Sequence, residues 1–512
     1  MIRLPRTVHF DRAKPPRSTQ FNRRQFLAYG AGALTAGAVA GQPGCGGSGG
    51  QASLGTPGST AATTAPQQSD ASVAEALSVL GRTTLRLPGS RPYPALAAGT
   101  DTMPQIQHIV VVMLENHSFD NILGMLGRGG GFTLGANGLP AHSNPYADGR
   151  LQMAFEMPTT CQLSAMPSQE WKASHQQYAN GALNGFVQSS SGPVAMGYWT
   201  GSSLPYTYAL ASQFPIGDRY FCSVLGQTDP NRRYLIAATS AGMTDDIGGS
   251  IGNLIPDLEL PLPGNGTIFD RLAAYGISWG DYCANFPLGA TAELYPLDDL
   301  ANLVSKKTID QFFTDTAAGT LPGFSIVDMD YSTQSQENPQ NIAVGEQFLA
   351  QVLKAIGNSP AWEKTMVIVN YDEHGGYYDH VPPPVALQPD LIPAIVQPGE
   401  DTYDNFTRYG FRVPAIVVSP YAKTNYVSHM VYDHSSVLAM VERKWNLPAL
   451  TWRDANANDL TDFLDLDALT AGTPTFPSLP SLPAASGDSA GALACSTSGP
   501  GLIPPPDSIV GW

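Results

Sequence analysis

Four unbroken runs of apolar, largely β-branched residues constrain this chain more tightly than any other feature. They occupy residues 109–114 (IVVVML), 324–327 (FSIV), 366–369 (MVIV) and 413–418 (VPAIVV). A half-exposed strand alternates apolar and polar side chains, whereas a strand covered on both faces does not. The runs therefore predict strands in the middle of a sheet with helices on both sides. Helical patterning at 342–356 and 435–445 completes an alternation of strand and helix. The expected fold class is α/β, with a mostly parallel central sheet flanked by helices. Open parallel sheets bind ligands just beyond the carboxyl ends of their strands. At those positions Glu115-Asn116 follows the first run, Asp328 the second, and Asn370-Tyr371-Asp372-Glu373-His374 the third.

The chain has 512 residues, 43% of them hydrophobic, which excludes a wholly disordered protein. Its 52 glycines and 43 prolines require many turns and long loops. The formal charge of −16 is unevenly spread. Residues 1–44 hold seven cations (Arg3, Arg6, Arg12, Lys14, Arg17, Arg23, Arg24) against Asp11, leaving −22 on the remainder. A body this acidic is unsuited to nucleic acid, whose phosphates demand a basic surface. It is equally unsuited to holding an anionic membrane by bulk electrostatics.

The basic head precedes residues 26–40, a run too short and glycine-rich for a bilayer span of about 20 apolar residues. It reads as a signal-peptide core ending in Ala38-Val39-Ala40, a small-x-small cleavage site. Asn22-Arg23-Arg24-Gln25-Phe26-Leu27 resembles a twin-arginine export signal, with Asn22 where Ser or Thr is usual. The resemblance implies a bacterial protein that the twin-arginine machinery exports already folded. It would be periplasmic, secreted or lipid-anchored at Cys45, with no stable membrane span; Gln42-Pro43-Gly44 is a poor lipidation signal.

The expected organisation is a signal peptide over 1–40 and a flexible Gly/Ser/Thr/Pro-rich linker and lead-in over 41–104. One catalytic domain follows over 105–469, then a Pro/Ser/Gly-rich tail over 470–512. A short helix is expected near 71–80. Beyond Cys45 the cysteines are Cys161, Cys222, Cys283 and Cys495, with no CxxC among them. Four cysteines allow three pairings, and structural disulfides are expected in place of metal binding by sulfur.

Glu115, Asn116, Asp372 and Glu373 offer three carboxylates and an amide oxygen, a donor set suited to a hard divalent cation. Thr228 stands before Asp229-Pro230, at an expected helix start. A threonine hydroxyl is a weak nucleophile until a cation or base activates it. Arg232, one turn on, suits either a phosphate or a structural ion pair. His380 and His434 each follow an aspartate and are candidates for proton transfer or for donation to a phosphoryl oxygen. His374 shares that chemistry beside the Asp-Glu pair.

Four blocks resemble the bacterial phosphoesterases that include phosphocholine-type phospholipases C and acid phosphatases. They are Glu115-Asn116-His117-Ser118-Phe119-Asp120-Asn121, the Gly226–Leu235 segment, the Tyr371–Pro384 segment, and Arg412–Tyr421 followed by Tyr432-Asp433-His434-Ser435-Ser436. The resemblance implies an alkaline-phosphatase-like core with long loop insertions. It implies one divalent metal ion (Ca, Mg, Mn, Zn or Fe) on Glu115, Asn116, Asp372 and Glu373, and Thr228 as the nucleophile. His380 and His434 become catalytic candidates, and His175 and His374 substrate contacts. Two positions depart from the pattern: Gln169 and Asn338 stand where histidines are expected. Amides donate hydrogen bonds but carry no proton or charge. The implied activity is hydrolysis of a phosphate ester, first a phospholipid diester with its lipid head group. The alternatives are an acid phosphatase acting on monoesters and a catalytically weakened binding protein of the same fold.

Overall fold

The computed structural model describes residues 65–161, 167–246, 261–285, 291–295, 303–338, 340–482 and 509–510. The export signal, Cys45 and Cys495 lie outside the described residues. The eight strands of the central sheet, numbered in chain order, are β1 (His108–Leu114), β2 (Ile216–Gly217), β3 (Trp279–Cys283), β4 (Lys306–Thr308), β5 (Phe324–Asp328), β6 (Thr365–Tyr371), β7 (Ala415–Val418) and β8 (Val427–Ser428). Their order across the sheet is β8-β2-β7-β6-β1-β5-β3-β4. β1 lies between β6 and β5 and is parallel to both. β5-β3 and β3-β4 are also parallel. Every residue of β5, β6 and β7 is buried, as is β1 beyond His108, which accounts for the unbroken apolar runs.

One strand of the four runs is reversed. β7 pairs antiparallel with β6 and with β2, so the sheet is mixed with a parallel majority. Its amino-terminal flank consequently sits at the edge where β1 and β6 end, and the Arg412 carbonyl there accepts from the Phe119 N–H at 2.9 Å. Ser419-Pro420, which follows the run, leaves at the opposite edge.

The amphipathic helix Ile342–Gly357 is capped by Asn341, whose side chain accepts from the Ala343 N–H, and buries Ile342, Phe348, Leu349, Val352, Leu353 and Ile356. It packs with helix Ile309–Ala318, which also touches β3, β4 and β5; helices Thr228–Ala237 and Ser435–Trp445 pack with each other. Among the described residues no helix is long and apolar enough to cross a membrane.

The short helix expected near 71–80 is present as Asp70–Val79, and the lead-in from there to residue 104 is tied down. Helix Asp70–Val79 buries Ala76 and Leu77 against Phe221, Leu387 and Tyr409. Arg82 donates to the Asn456 and Ala457 carbonyls, and the Asn446 amide donates to the carbonyls of Tyr93, Leu96 and Ala97. Side-chain amides facing a non-repetitive backbone replace the missing secondary-structure bonds. In the tail, Ile509–Val510 pairs antiparallel with Leu151–Met153. The disulfide expectation divides: Cys161 is disulfide-bonded, whereas Cys222 and Cys283 are buried thiols.

Candidate active site

Register brings the acidic strand ends together. Leu114 stands opposite Tyr371, so Glu115 and Asp372 leave the parallel sheet side by side, and the Asp372 N–H donates to the Leu114 carbonyl at 3.1 Å. Asn116 then adopts φ +63°, a left-handed conformation that asparagine tolerates better than most residues. Its N–H donates to Asp372 Oδ1 at 3.2 Å. Gly375, φ +64°, runs so close that a Cβ on it would lie 1.9 Å from the Asn116 carbonyl oxygen. Only glycine permits the two strand-end loops to touch there.

Thr228 opens the helix Thr228–Ala237, every residue of which is buried. Pro230 sits in the first turn, where its missing N–H costs nothing. The Asn231 side chain secures the approach, accepting from the Ser223 and Val224 N–H groups at 2.8 and 3.1 Å and donating to the Gly226 and Gln227 carbonyls. The result is a Thr228 hydroxyl accepting from Asn116 Nδ2 at 3.3 Å. Asn116 Oδ1 is buried with no hydrogen-bond partner, and so is Glu373 Oε1.

Arg232, on the same helix, is fully buried among the carboxylates. It reaches Glu115 at 2.8 Å, Asp372 at 3.2 Å and Asp328 at 3.3 Å, and donates to the Met113 carbonyl. Its role is that of a buried ion-pair hub. One guanidinium does not balance this many anions. Burial, reinforced by the Asp372 charge, pushes the Glu115 and Glu373 carboxyls well above the usual range. Two further carboxyls, unanticipated from the sequence, join them. Burial and then Asp229 raise Asp246, which accepts from the Asp229 N–H at 2.8 Å. Burial and then Asp372 raise Glu337 to about 7. An excess of buried negative charge with two unsatisfied oxygens fits a divalent cation held by Glu115, Asn116, Asp372 and Glu373.

The histidines fall in different places. His434 Nε2 donates to the Asp372 carbonyl at 2.6 Å and its Nδ1 lies 3.3 Å from the Tyr220 hydroxyl, so both ring nitrogens are engaged beneath the site. His374 is buried, bonded to Gln177 Oε1 at 2.6 Å, and burial pushes its pKa down to about 3. His175 donates to the Trp171 carbonyl at 2.7 Å and stacks on Tyr403 with ring centroids 4.1 Å apart. Gln169 donates to Glu337 at 3.4 Å, and Asn338 accepts from the Tyr377 hydroxyl at 3.3 Å.

His380 belongs to a second cluster. Its Nδ1 donates to Asp120 Oδ2 at 2.6 Å, and ligating atoms of Asp120, Asp379 and His380 all lie within 4.8 Å of one another. That spacing suits a metal ion, but the Arg412 guanidinium occupies it, meeting Asp379 at 2.8 and 3.0 Å and Asp120 at 3.0 Å. The carboxylates are thereby already paired. At Glu115, Asn116, Asp372 and Glu373, by contrast, the Asn116 Oδ1 and Glu373 Oε1 oxygens remain unsatisfied.

A family model described as "Phosphoesterase family" matches residues 106–448. Over 380 residues the chain is 33% identical to "Non-specific phospholipase C1" of Arabidopsis thaliana, covering 68% of this chain and 69% of that protein. Over 458 residues it is 28% identical to "Phospholipase C B" of Mycobacterium tuberculosis, covering 77% and 82%. A solved structure of a protein in the alkaline phosphatase superfamily from Vibrio parahaemolyticus aligns at 11% identity with a TM-score of 0.35, covering 74% of this chain and 72% of that one. The family match contains β1 to β8 together with Glu115, Asn116, Thr228, Asp372 and Glu373. The chain belongs to the phosphoesterase family and is a hydrolase acting on phosphoric ester bonds.

Proposed function

We propose that this protein is an exported, metal-dependent phospholipase C-type enzyme that cleaves a phospholipid diester through a covalent phosphothreonine at Thr228. The observation that carries this reading is the Thr228 hydroxyl at a buried helix start, 3.3 Å from an Asn116 amide whose oxygen has no partner. The similarity to phospholipases C supports the choice of substrate.

The Thr228 oxygen attacks phosphorus in line. The bond from phosphorus to the diacylglycerol oxygen breaks, and that oxygen leaves with the proton that the Thr228 hydroxyl gives up. Water then attacks the phosphothreonine, releasing the phosphorylated head group and restoring the hydroxyl. Glu115, Asn116, Asp372 and Glu373 would hold a divalent cation, which would supply positive charge to lower the hydroxyl pKa and offset the phosphoryl oxygens. The Asn116 amide fixes the direction of the Thr228 oxygen. Arg232 locks Glu115 and Asp372 in place, and His434 is a positioning residue that holds the Asp372 backbone. The Gln169 and Asn338 amides stand where histidine is expected and favour a second reading, a catalytically weakened binding protein of the same fold, because amides bring no proton to a leaving group.

A panel of p-nitrophenylphosphorylcholine and p-nitrophenyl phosphate, with and without chelator, tests these readings. Faster chelator-sensitive turnover of the diester supports the phospholipase. A preference for the monoester supports the phosphatase, and no turnover of either by folded, metal-loaded protein indicates a binding protein. Residues 1–40 are proposed to direct export by the twin-arginine route; replacing Arg23 and Arg24 with lysine is expected to retain the protein inside the cell, and unchanged export contradicts that route.

A further inference from the structure

Resting on the reading of Thr228 as the nucleophile, we propose that the adjacent aspartates Asp245 and Asp246 cap two helices at once, with Asp246 the positioning residue for the Thr228 hydroxyl. The two helices are Thr228–Ala237 and Trp171–Tyr178. Both begin without a cap of their own, because neither Gln227 nor Glu170, the residue before each helix, makes a side-chain bond to its first turn. Ser, Thr, Asp and Asn cap well from that position, and Gln and Glu do not.

The missing acceptors arrive from a distant loop. Asp246 Oδ1 accepts from the Asp229 N–H at 2.8 Å, and the Asp246 N–H donates to Gln227 Oε1 at 2.8 Å. These are the reciprocal bonds of a capping box, closed between two segments instead of within one. One residue earlier, Asp245 Oδ1 accepts from the Trp171 N–H at 2.6 Å. Gln169, two residues before Trp171, donates to Glu337 of the acidic cluster, so both capped helices border the site.

The nucleophile helix offers such a cap a single handle. A capping oxygen takes the second or third N–H of a helix, and the third residue here is Pro230, which has none. Asp229 is therefore the donor to hold, and holding it fixes the first turn that presents Thr228 to Asn116 Nδ2. The loop is itself anchored. A Cβ on Gly226 would meet the Thr244 carbonyl oxygen at 2.7 Å, so the loop lies directly against the approach to Thr228. On its other side the Thr244 hydroxyl donates to the Ile395 carbonyl at 3.1 Å. In-line attack rewards this rigidity, since a misplacement of about 1 Å costs about a hundredfold in rate.

The test compares the full-length, metal-loaded parent with Asp246→Ala, Asp246→Asn, Asp245→Ala and Thr228→Ala. Turnover of p-nitrophenylphosphorylcholine and p-nitrophenyl phosphate is measured, together with amide hydrogen exchange by mass spectrometry. Asp246→Ala is expected to lower kcat at least about tenfold with KM within about threefold, and to speed exchange at the start of helix Thr228–Ala237. Asparagine keeps the acceptor oxygen, so Asp246→Asn should bring both readouts back to within about threefold of the parent. Asp245→Ala should speed exchange at the start of Trp171–Tyr178, and unchanged exchange there removes Asp245 from the cap. Parent-like kcat or exchange in Asp246→Ala overturns the proposal. So does an equal loss in the alanine and asparagine variants, which would make Asp246 a proton carrier or a metal ligand. Near-normal turnover by Thr228→Ala, with the loss in Asp246→Ala restored by asparagine, upholds the cap and refutes the nucleophile reading. If the parent turns over neither ester, the reading of function fails, and exchange that alanine speeds and asparagine restores still upholds the cap.

Discussion

Arg412 and Arg232 are both fully buried guanidiniums, yet they solve different problems. Arg412 balances Asp120 and Asp379 with three short contacts and leaves neither carboxylate without a partner. Arg412→Ala strands two buried carboxylates, and urea denaturation should show a loss of about 3–5 kcal/mol; a loss under about 1 kcal/mol would mean that the pair relaxes into water. Arg232 is outnumbered by the carboxylates around it, and the proposed cation would make up the shortfall. His380, beside Arg412, supplies a pH signature. Burial disfavours its imidazolium, but the Asp120 hydrogen bond and the charges of Asp120 and Asp379 outweigh burial, and its pKa rises above the ordinary 6.5. A histidine with a raised folded-state pKa stabilises the fold fully below its unfolded pKa. That contribution fades as pH rises through the folded value. Denaturation midpoints should therefore fall from neutral to alkaline pH by more in the parent than in His380→Gln, and parallel pH curves for the two would contradict this.

At the scale of elements, the site depends on two strand ends meeting through backbone, and Gly375 is the residue that lets them. Gly375→Ala forces a Cβ into the Asn116 carbonyl and imposes a left-handed φ on a side chain. The expected outcome is a loss of roughly 1–3 kcal/mol in stability together with a large drop in turnover at little change in secondary structure by circular dichroism. Normal turnover by this variant would show that the loops need not touch. The long strands β1, β5 and β6 were legible in the sequence, because burial on both faces leaves an unbroken apolar run. The two-residue strands β2 and β8 were not, since Ile216–Gly217 and Val427–Ser428 are too short to show any period. The reversal of β7 was equally hidden, because a run buried on both faces reads alike in either direction. Glu115, Asn116, Asp372 and Glu373 could be singled out because they lie at strand ends, whereas Thr228 stood out through the resemblance of its block to the family. Asp246 and Glu337 come from irregular segments, and neither period nor strand end marks them. The one hint for Glu337 was its place beside Asn338, an amide where histidine is expected. His434 and His374 carried the chemistry of catalytic groups in the sequence, but only coordinates reveal that the Asp372 carbonyl and the Tyr220 hydroxyl engage His434 and that Gln177 engages His374 Nε2.

For the whole molecule, the net charge of −22 beyond the basic head poses a problem for an enzyme that acts on phosphate esters. Part of that charge converges on one buried spot, which a divalent cation would neutralise. Prolonged chelation should accordingly lower turnover by at least about tenfold and lower the thermal midpoint, with both restored by a single divalent species. Full activity in metal-free protein would remove the cation from the mechanism. A net charge of this sign is meanwhile unsuited to nucleic acid and to anionic bilayers. The most direct test of the central claim is rapid acid quenching of the enzyme during turnover of p-nitrophenylphosphorylcholine, followed by peptide mass spectrometry. The phosphothreonine mechanism predicts phosphorylcholine bound covalently at Thr228 in the parent, no adduct in Thr228→Ala, and a turnover loss of roughly a thousandfold or more in that variant. An adduct on another residue, or near-normal turnover by Thr228→Ala, would contradict it.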